Sequence, residues 1–245
     1  MKSYSGKRKI KCKMKKKIIV FFNCVILLQS CNSQKNDLGT FNLPLNKSIL
    51  IKNEIDLNKR PFIYDPNLIA YEFSSSKMLI YNNNDLSNSI NNDVSETYCG
   101  KNYINLLVNE KVKKIEGYQL HTYTKEESQK LFNSLKKKLG LPNYDDLDKI
   151  DRHIVWENEN EIYIFNIGYN SIIQNTKTDE ANLAVLITQL DKLIMHLNST
   201  TFYESYLKER KKQNKNLKNY SYFVFAQEQN NKGNNYYLKG IKGIK

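Results

Sequence analysis

The sequence is short of glycine, with 9 among 245 residues, and it holds only 4 prolines, 4 cysteines and 3 histidines. It contains no glycine-rich loop of the kind that cradles a phosphate and no nucleophile elbow that would expose a reactive serine. His121, His153 and His196 lack the spacing of zinc ligands. These absences argue against a nucleotide-binding enzyme, a serine hydrolase and a zinc protein, and we predict no metal and no cofactor.

Long hydrophobic runs are also lacking. The one continuous apolar stretch of note is Ile18 to Leu28, which spans 11 residues and is interrupted by Asn23. A membrane-spanning helix needs about 20 apolar residues, so this run is too short to remain as a span. It follows three lysines, Lys15 to Lys17, and ends near a small residue. This order of charge, apolar core and cleavage point is typical of an export signal.

The signal ends in Leu28-Gln29-Ser30-Cys31, which resembles the lipobox of bacterial lipoproteins. The resemblance implies cleavage between Ser30 and Cys31, lipidation of the Cys31 thiol, and attachment to a membrane through that lipid. By analogy with lipoprotein sorting, Asn32 after the cysteine favours the outer membrane of the cell envelope. Met14 lies directly before the lysines and is the predicted start of the chain, the alternative being a long basic n-region that begins at Met1.

Cysteine chemistry is limited once the signal is removed. Cys12 and Cys24 leave with residues 1–30, and lipid would block Cys31. Cys99 then stands alone, so no internal disulfide is expected although the compartment is oxidising.

The net charge of +13 is unevenly placed. Residues 1–30 carry nine basic groups and no acids, so much of the basicity belongs to the signal, and we predict no nucleic-acid partner. Residues 208–245 hold ten basic and two acidic groups. That end could favour anionic lipid headgroups or acidic polysaccharide, or could simply be a solvated tail.

The predicted organisation has four parts: a signal peptide at 1–30, a lipidated tether at 31–48, a single domain at 49–226 and a basic tail at 227–245. The stock of Tyr, Phe and Ile favours a sheet. We expect an α+β fold, a largely antiparallel sheet with two or three packed helices.

The best-defined predicted element is a helix over Lys125–Leu139. Thr124 and Glu127 form a capping box at its start, and Gly140 provides the C-terminal cap. A second capping box, Thr201 with Glu204, opens a helix. Residues 179–198 have a helical period and are predicted as helix, although 183–188 alone could form a strand. Strands are predicted at 68–73 and 77–81 as a hairpin, at 103–108 and 112–123 with a bulge marked by Gly117, at 153–157 and 161–169 as a hairpin, and at 220–226, with a surface loop at 82–95.

A catalytic role would have to use Cys99, paired as a thiolate with His121 or His153. The surrounding Thr97-Tyr98-Cys99-Gly100 leads into a predicted strand, whereas an activated thiol is commonly placed at a helix start. A single cysteine is more often a small buried apolar residue. We therefore favour a noncatalytic domain and keep a cell-envelope cysteine hydrolase as the alternative.

Two further groups of residues could bind something. The acidic cluster 145–151 has the carboxylates that calcium prefers but departs from the EF-hand pattern, and a solvated loop between helices explains it equally. Trp156, Tyr163, Tyr169, Tyr236 and Tyr237 could form an aromatic platform for a sugar or a protein, or belong to an aromatic core.

The sequence therefore predicts a lipid-anchored envelope protein that binds an envelope protein or a glycan. One specific version is an immunity-type protein that blocks an incoming toxin.

Overall fold

The computed structural model describes residues 36–52, 58–90, 100–148, 150–173, 176–198 and 201–244. Within these ranges the strands are β1 Leu45–Asn46, β2 Asn58–Pro61, β3 Leu68–Phe73, β4 Ile80–Tyr81, β5 Asn84–Asp85, β6 Tyr103–Asn109, β7 Lys114–Thr122, β8 Tyr144–Leu147, β9 Asp151–Glu157, β10 Glu161–Ile173 and β11 Thr176–Ile187. The α-helices are α1 Lys47–Leu50, α2 Lys125–Leu139, α3 Ile194–Asn198, α4 Thr201–Lys212 and α5 Tyr222–Asn231. Short 3-10 helices occupy Leu38–Thr40, Thr188–Leu193 and Asn235–Ile244.

One large sheet organises the described chain. Its strand order is β2-β3-β6-β7-β11-β10-β9-β8, with β1 added to β7, and its strand pairings are antiparallel. Strands β4 and β5 form a separate short ribbon. The predicted α+β fold with a largely antiparallel sheet is confirmed.

The two ends of the sheet carry different turns. The β9–β10 turn at residues 158–160 lies at the end where β7 begins and β11 finishes; we name it the 158–160 end. At the opposite end β7 finishes and β9 begins; we name it the 122–124 end. Helix α2 starts at the 122–124 end and runs back to the 158–160 end, where the Trp156 Nε1–H donates to the Gly140 carbonyl at 3.0 Å.

Helix α2 covers one face of the sheet. Leu131, Phe132 and Leu135 are buried, and the Phe132 ring stacks on Phe165 of β10 with centroids 5.6 Å apart. The local signals agree with the packing: the Thr124 hydroxyl accepts from the Glu127 backbone N–H, and Gly140 closes the helix with φ +74°. The predicted helix is confirmed at both ends.

The C-terminal helices pack on the opposite face of the sheet, near the 158–160 end. The Tyr144 ring on β8 contacts Tyr203 of α4 at 5.8 Å and Tyr222 of α5 at 4.9 Å. Under this cover the sheet residues are fully buried and apolar: Ile162, Ile164, Val155, Ala184 and Leu186. The largest buried side chains near them are tyrosines, including Tyr203, Tyr206, Tyr220 and Tyr222.

The helix predicted over residues 179–198 is wrong in its first half. Residues 176–187 form β11, which lies between β7 and β10 and buries side chains on both faces. A central strand covered on both sides needs a continuous apolar run, and such a run also fits a helical period. Only Thr188–Leu193 and Ile194–Asn198 turn helical.

The strand predicted at 220–226 is also wrong, because this segment opens helix α5. The Ser221 hydroxyl caps the helix by accepting from the Val224 N–H. Tyr222, Phe225 and Ala226 are buried at spacings of three and four residues, so the same aromatic residues serve a helix.

The predicted hairpin of 68–73 with 77–81 does not form, since β3 pairs with β2 and β6 while β4 pairs with β5. The loop predicted at 82–95 includes β5, and residues 91–95 lie outside the described chain. The other two strand pairs are confirmed, as is the bulge beside Gly117, where Leu107 pairs with Gly117 and Val108 with Ile115. The interpretation of the acidic cluster 145–151 as a loop between helices is wrong, because residues 145–147 belong to β8 and Asp151 begins β9.

Both predicted tails are shorter than expected. Residues 36–48 belong to the folded body: Leu38 is buried, and the Asp37 carboxylate accepts from the backbone of Asn82 and Asn83. At the other end α5 reaches Asn231, and Gly240 lies so close to Tyr144 and Tyr222 that a β-carbon there would overlap both rings. Ile241 is buried.

Candidate functional site

The face that carries the C-terminal helices becomes polar toward the 122–124 end. Six residues lie in direct register on six neighbouring strands, and we call them the polar strip: Tyr103, His121, Asn182, Asn166, His153 and Asp146. Residues paired in register across antiparallel strands point to the same face. With about 4.8 Å between strands, the strip crosses about 24 Å of sheet.

The polar strip lies where the cover of the sheet stops. All six of its residues are half-buried, whereas Ile164, Val155 and Ala184, in the next row under the helices, are fully buried. One row further toward the 122–124 end, Glu180 and Asp151 are again half-buried. This half of the face therefore offers hydrogen-bonding groups to a ligand, while the other half is core.

Asn105 lies in the row next to the polar strip, on its 158–160 side. It lies two residues from Tyr103 on β6, on the same face, and is 4% exposed. Its side-chain oxygen has no hydrogen-bond partner within the described residues. A buried amide oxygen without a partner costs free energy, so such a group is a mark of strain or of a ligand site.

His121 is held as a neutral ring. Its imidazole stacks on Tyr103 with centroids 4.4 Å apart and planes at 13°. Burial and, to a smaller extent, the positive charge of Arg60 lower the pKa of His121 to about 4. At neutral pH the ring can therefore donate or accept a hydrogen bond but carries no charge.

His153 is fixed on both sides. Its Nδ1 lies 2.8 Å from Asn166 Oδ1, and its Nε2 lies 3.2 Å from Asp151 Oδ2. Both ring nitrogens are thus engaged, so this imidazole as placed presents no nitrogen to a substrate. His121 and His153 are three strands apart, about 14 Å, and cannot act on the same atom.

Cys99, the candidate nucleophile, lies outside the described residues, as do Ser30 and Cys31 of the lipobox. A Cys99–His121 or Cys99–His153 pair therefore stays a prediction. His196 is remote from the strip and stacks on Tyr64 at 4.7 Å. Among the described residues no group of three or more His, Cys, Asp or Glu side chains could hold a metal ion.

The acidic cluster does not converge on one point. Asp145 is buried on the α2 face, where its carboxylate pairs with both Arg152 Nε and Arg152 Nη2, at 2.7 and 2.5 Å. Asp146 points to the opposite face and belongs to the polar strip. Adjacent strand residues alternate between faces, so the density of acids in the sequence does not produce a cation site.

The predicted aromatic platform is divided between different parts of the fold. Trp156 and Tyr163 are buried near α2, where the Lys138 ammonium donates to the Tyr163 hydroxyl at 3.2 Å. Tyr237 packs edge-on against Phe225 of α5 at 4.8 Å, with Tyr236 beside it. The buried aromatics serve as core.

A second polar cluster lies where α1 meets the sheet. The Lys47 ammonium contacts the Tyr71 hydroxyl at 2.8 Å and the Glu110 carboxylate at 2.5 Å, and Lys113 approaches the same carboxylate at 2.6 Å. The Tyr71 hydroxyl also donates to Glu110, at 2.5 Å. Burial would raise the pKa of Glu110, but hydrogen bonds from Lys113, Lys47 and Tyr71 hold it at about 2. The cluster joins α1 to β3 and the β6–β7 turn, which is a structural role.

No family model matches the chain, and neither a curated protein nor a solved structure is similar enough to count as a match. None of the helices in the described ranges is long and apolar enough to cross a membrane.

Four members of the site were missed from the sequence: Tyr103, Asn105, Asn166 and Asn182. They are scattered over three strands, and only the register of β6, β10 and β11 brings them together. The two histidines were named for catalysis, and the structure places both on one polar surface.

Proposed function

We propose that the chain is a bacterial envelope lipoprotein, anchored through lipid on Cys31, and that its domain binds an envelope glycan noncatalytically through the polar strip. The observation that carries the binding proposal is the buried Asn105 oxygen, which has no hydrogen-bond partner among the described residues and lies beside a row of half-buried amide, imidazole and phenol groups.

The chemistry of the strip favours a hydroxyl-rich ligand. Asparagine side chains both donate and accept, and so does each hydroxyl of a sugar. The stacked rings of Tyr103 and His121 add a flat surface beside the amides of Asn182 and Asn166. Protein interfaces draw most of their binding energy from buried aromatic and arginine anchors in apolar surroundings. The strip has few such groups, so a glycan fits it better than an envelope protein or an incoming toxin.

The binding proposal is tested by co-sedimentation of the purified protein with cell-wall glycan and with soluble envelope polysaccharide. Asn166→Ala together with Asn182→Ala removes two amides that would contact the sugar. Each hydrogen bond is worth about 1 kcal/mol, so we expect affinity to fall about 30-fold. The matched control is Gln129→Ala with Asn133→Ala, two exposed polar residues of α2.

Three outcomes of that experiment are informative. Loss of binding in the strip variant alone supports the proposal. Equal loss in both variants, or no binding by the wild type, overturns the glycan assignment. Retention of a stoichiometric envelope protein by the wild type, lost in the strip variant, would assign the same surface to a protein partner instead.

The anchor and the alternative enzyme are tested separately. Labelled palmitate should enter the wild type and not the Cys31→Ser variant, which should also leave the detergent phase; continued detergent partitioning of that variant would overturn the anchor. Cys99→Ala should leave glycan binding unchanged, whereas a hydrolase would lose turnover while staying folded.

A further inference from the structure

A dense group of basic residues ends helix α4 and continues into the loop after it. Residues 208–218 contain six Lys or Arg and one Glu. The side chains of Lys211, Lys212 and Lys218 are 65%, 80% and 82% exposed. Exposed lysines in such number on one segment form a positive surface.

This segment lies at the 158–160 end of the sheet. The Lys218 ammonium pairs with Glu159 at 2.6 Å, and the buried Arg210 guanidinium pairs with Glu157 at 2.6 Å. The last turn of α2 reaches the same end, because Trp156 of β9 donates to Gly140. Its exposed Lys136 and Lys137 therefore add to the same positive surface.

The N-terminal segment of the folded body meets the same turn. The Leu43 backbone N–H donates to the Glu161 carboxylate at 2.8 Å. A cavity of about 300 Å³ is lined by Asn42, Leu43 and Asn158 to Glu161. A second cavity of about 570 Å³ is lined by Glu157 to Glu159 together with Arg210, Lys211 and residues 215–218. The turn at 158–160 is thus flanked by the N-terminal segment on one side and the basic segment on the other.

The distance to the lipidation site is short. Five residue steps separate Cys31 from Asn36, where the described chain begins, and an extended chain of that length reaches at most about 18 Å. A lipid on Cys31 would therefore hold the body close to the membrane surface, and residues 42–43 of the N-terminal segment lie at the basic end.

The acids at this end do not cancel its charge. Glu157 is engaged by Arg210, and Glu161 is buried, where it accepts from Leu43 and from the Tyr163 hydroxyl. Asp191 and Glu159 pair with Lys211 and Lys218, whose side chains are still mostly exposed. Lys212 approaches Glu209 at 4.0 Å and is 80% exposed, while Lys136, Lys137 and Lys215 remain as additional cations.

We propose that the 158–160 end of the domain docks on an anionic phospholipid surface, with the lysines of 208–218 and of the α2 C-terminus against the headgroups. This inference rests on the proposed anchor, and it adds an electrostatic contact that orients the body on the membrane. Each lysine near an anionic surface strengthens attraction about fivefold at physiological salt. Docking in this pose points the polar strip away from the membrane.

The test uses the acylated full protein in vesicles, either of neutral phosphatidylcholine or with phosphatidylglycerol added. Lysines are labelled with an amine-reactive acetylating reagent, and their rates are read by mass spectrometry. We expect Lys211, Lys215 and Lys218 to react at least about fivefold more slowly on anionic vesicles. Lys125 and Lys177, exposed at the 122–124 end, serve as controls and should react equally in both. High salt should remove the difference, since screening weakens surface electrostatics.

Docking is overturned if Lys211, Lys215 and Lys218 react as fast on anionic vesicles as on neutral ones, as the control lysines should. A second measurement separates docking from anchoring: flotation of the Cys31→Ser chain with anionic vesicles, compared with the same chain carrying Lys211→Glu, Lys215→Glu and Lys218→Glu. Any contribution of residues 1–30 is common to both chains. Weaker flotation of the triple variant supports docking even if lipid is never attached, and equal flotation overturns docking even if palmitate labelling succeeds.

Discussion

His121 shows how one position can set the response of the fold to acid. The pKa of the ring is about 4 in the folded protein, against an ordinary value of about 6.5 when exposed. As pH falls below about 6.5, the imidazole becomes protonated in the unfolded chain but stays neutral in the folded protein. Folding stability is therefore lost as pH falls through this window and is fully present above it.

The corresponding prediction concerns His121→Phe, which keeps a ring stacked on Tyr103 but cannot titrate. Between pH 7 and pH 5 the wild type should lose about 2 kcal/mol more unfolding free energy than the variant. Urea unfolding at the two pH values measures the difference. Parallel losses in both proteins would show that the imidazole is not excluded from protonation.

Glu157 supports a different residue-scale prediction. Its side chain is 4% exposed. The carboxylate accepts hydrogen bonds from both terminal nitrogens of Arg210 and from the Tyr203 hydroxyl, the last at 2.6 Å. Burial by itself would lower the pKa of Arg210, but this carboxylate raises it, so the guanidinium remains charged. Glu157→Gln would leave that buried cation without its counter-charge.

We expect Glu157→Gln to cost about 3 kcal/mol of unfolding free energy, because breaking a buried ion pair strands its partner. Glu159→Gln, two residues away, is the matched control: its pair with Lys218 is mostly exposed, so its loss should change the unfolding free energy little. Chemical denaturation of the wild type and the two variants measures the unfolding free energies. Similar small changes in both variants would mean that the Arg210 pair is solvated.

At the scale of elements, secondary structure could be predicted where the local sequence signals and the tertiary packing favour the same conformation. Helix α2 could be predicted to the residue because Thr124, Glu127 and Gly140 fix its ends by short-range hydrogen bonds and backbone conformation. Strand β11 could not, since its apolar residues fit a helix locally and only pairing with β7 and β10 decides the matter. The site was harder still: the polar strip exists only through the register of six strands.

The C-terminal segment 235–244 gives the element-scale prediction. A β-carbon on Gly240 would lie 2.1 Å from one ring carbon of Tyr144 and 2.8 Å from one of Tyr222. Gly240→Ala should therefore push this segment off β8 and cost about 1–3 kcal/mol, the usual range for overpacking. Lys239→Ala, at an exposed neighbouring position, should change stability by less than about 0.5 kcal/mol. Thermal unfolding compares the stabilities of the two variants. If Gly240→Ala leaves stability unchanged, segment 235–244 is not packed against Tyr144 and Tyr222.

At the scale of the whole molecule, the proposed functions occupy opposite ends of one sheet. The basic surface and the N-terminal segment meet at the 158–160 end, while the polar strip lies toward the 122–124 end. The rows between Glu161 and Asn166 on β10 separate the two regions by about 17 Å. A body docked at its basic end would hold the strip well clear of the headgroups, where a glycan of the envelope can reach it.

This arrangement makes the length of the segment before Asn36 a quantitative variable. Tethering by lipid turns docking into an intramolecular event, whose effective concentration falls roughly as the −3/2 power of tether length. Inserting about 15 Gly and Ser residues after Gln34 makes the five-residue tether about fourfold longer, so docking should weaken about eightfold. The acetylation of Lys211 and Lys218 on anionic vesicles should then approach its rate on neutral ones, while palmitate labelling and glycan binding stay unchanged. If the lysines remain protected at any tether length, the basic surface holds the membrane by itself; if glycan binding falls with them, the strip and the docking end are not the separate sites proposed.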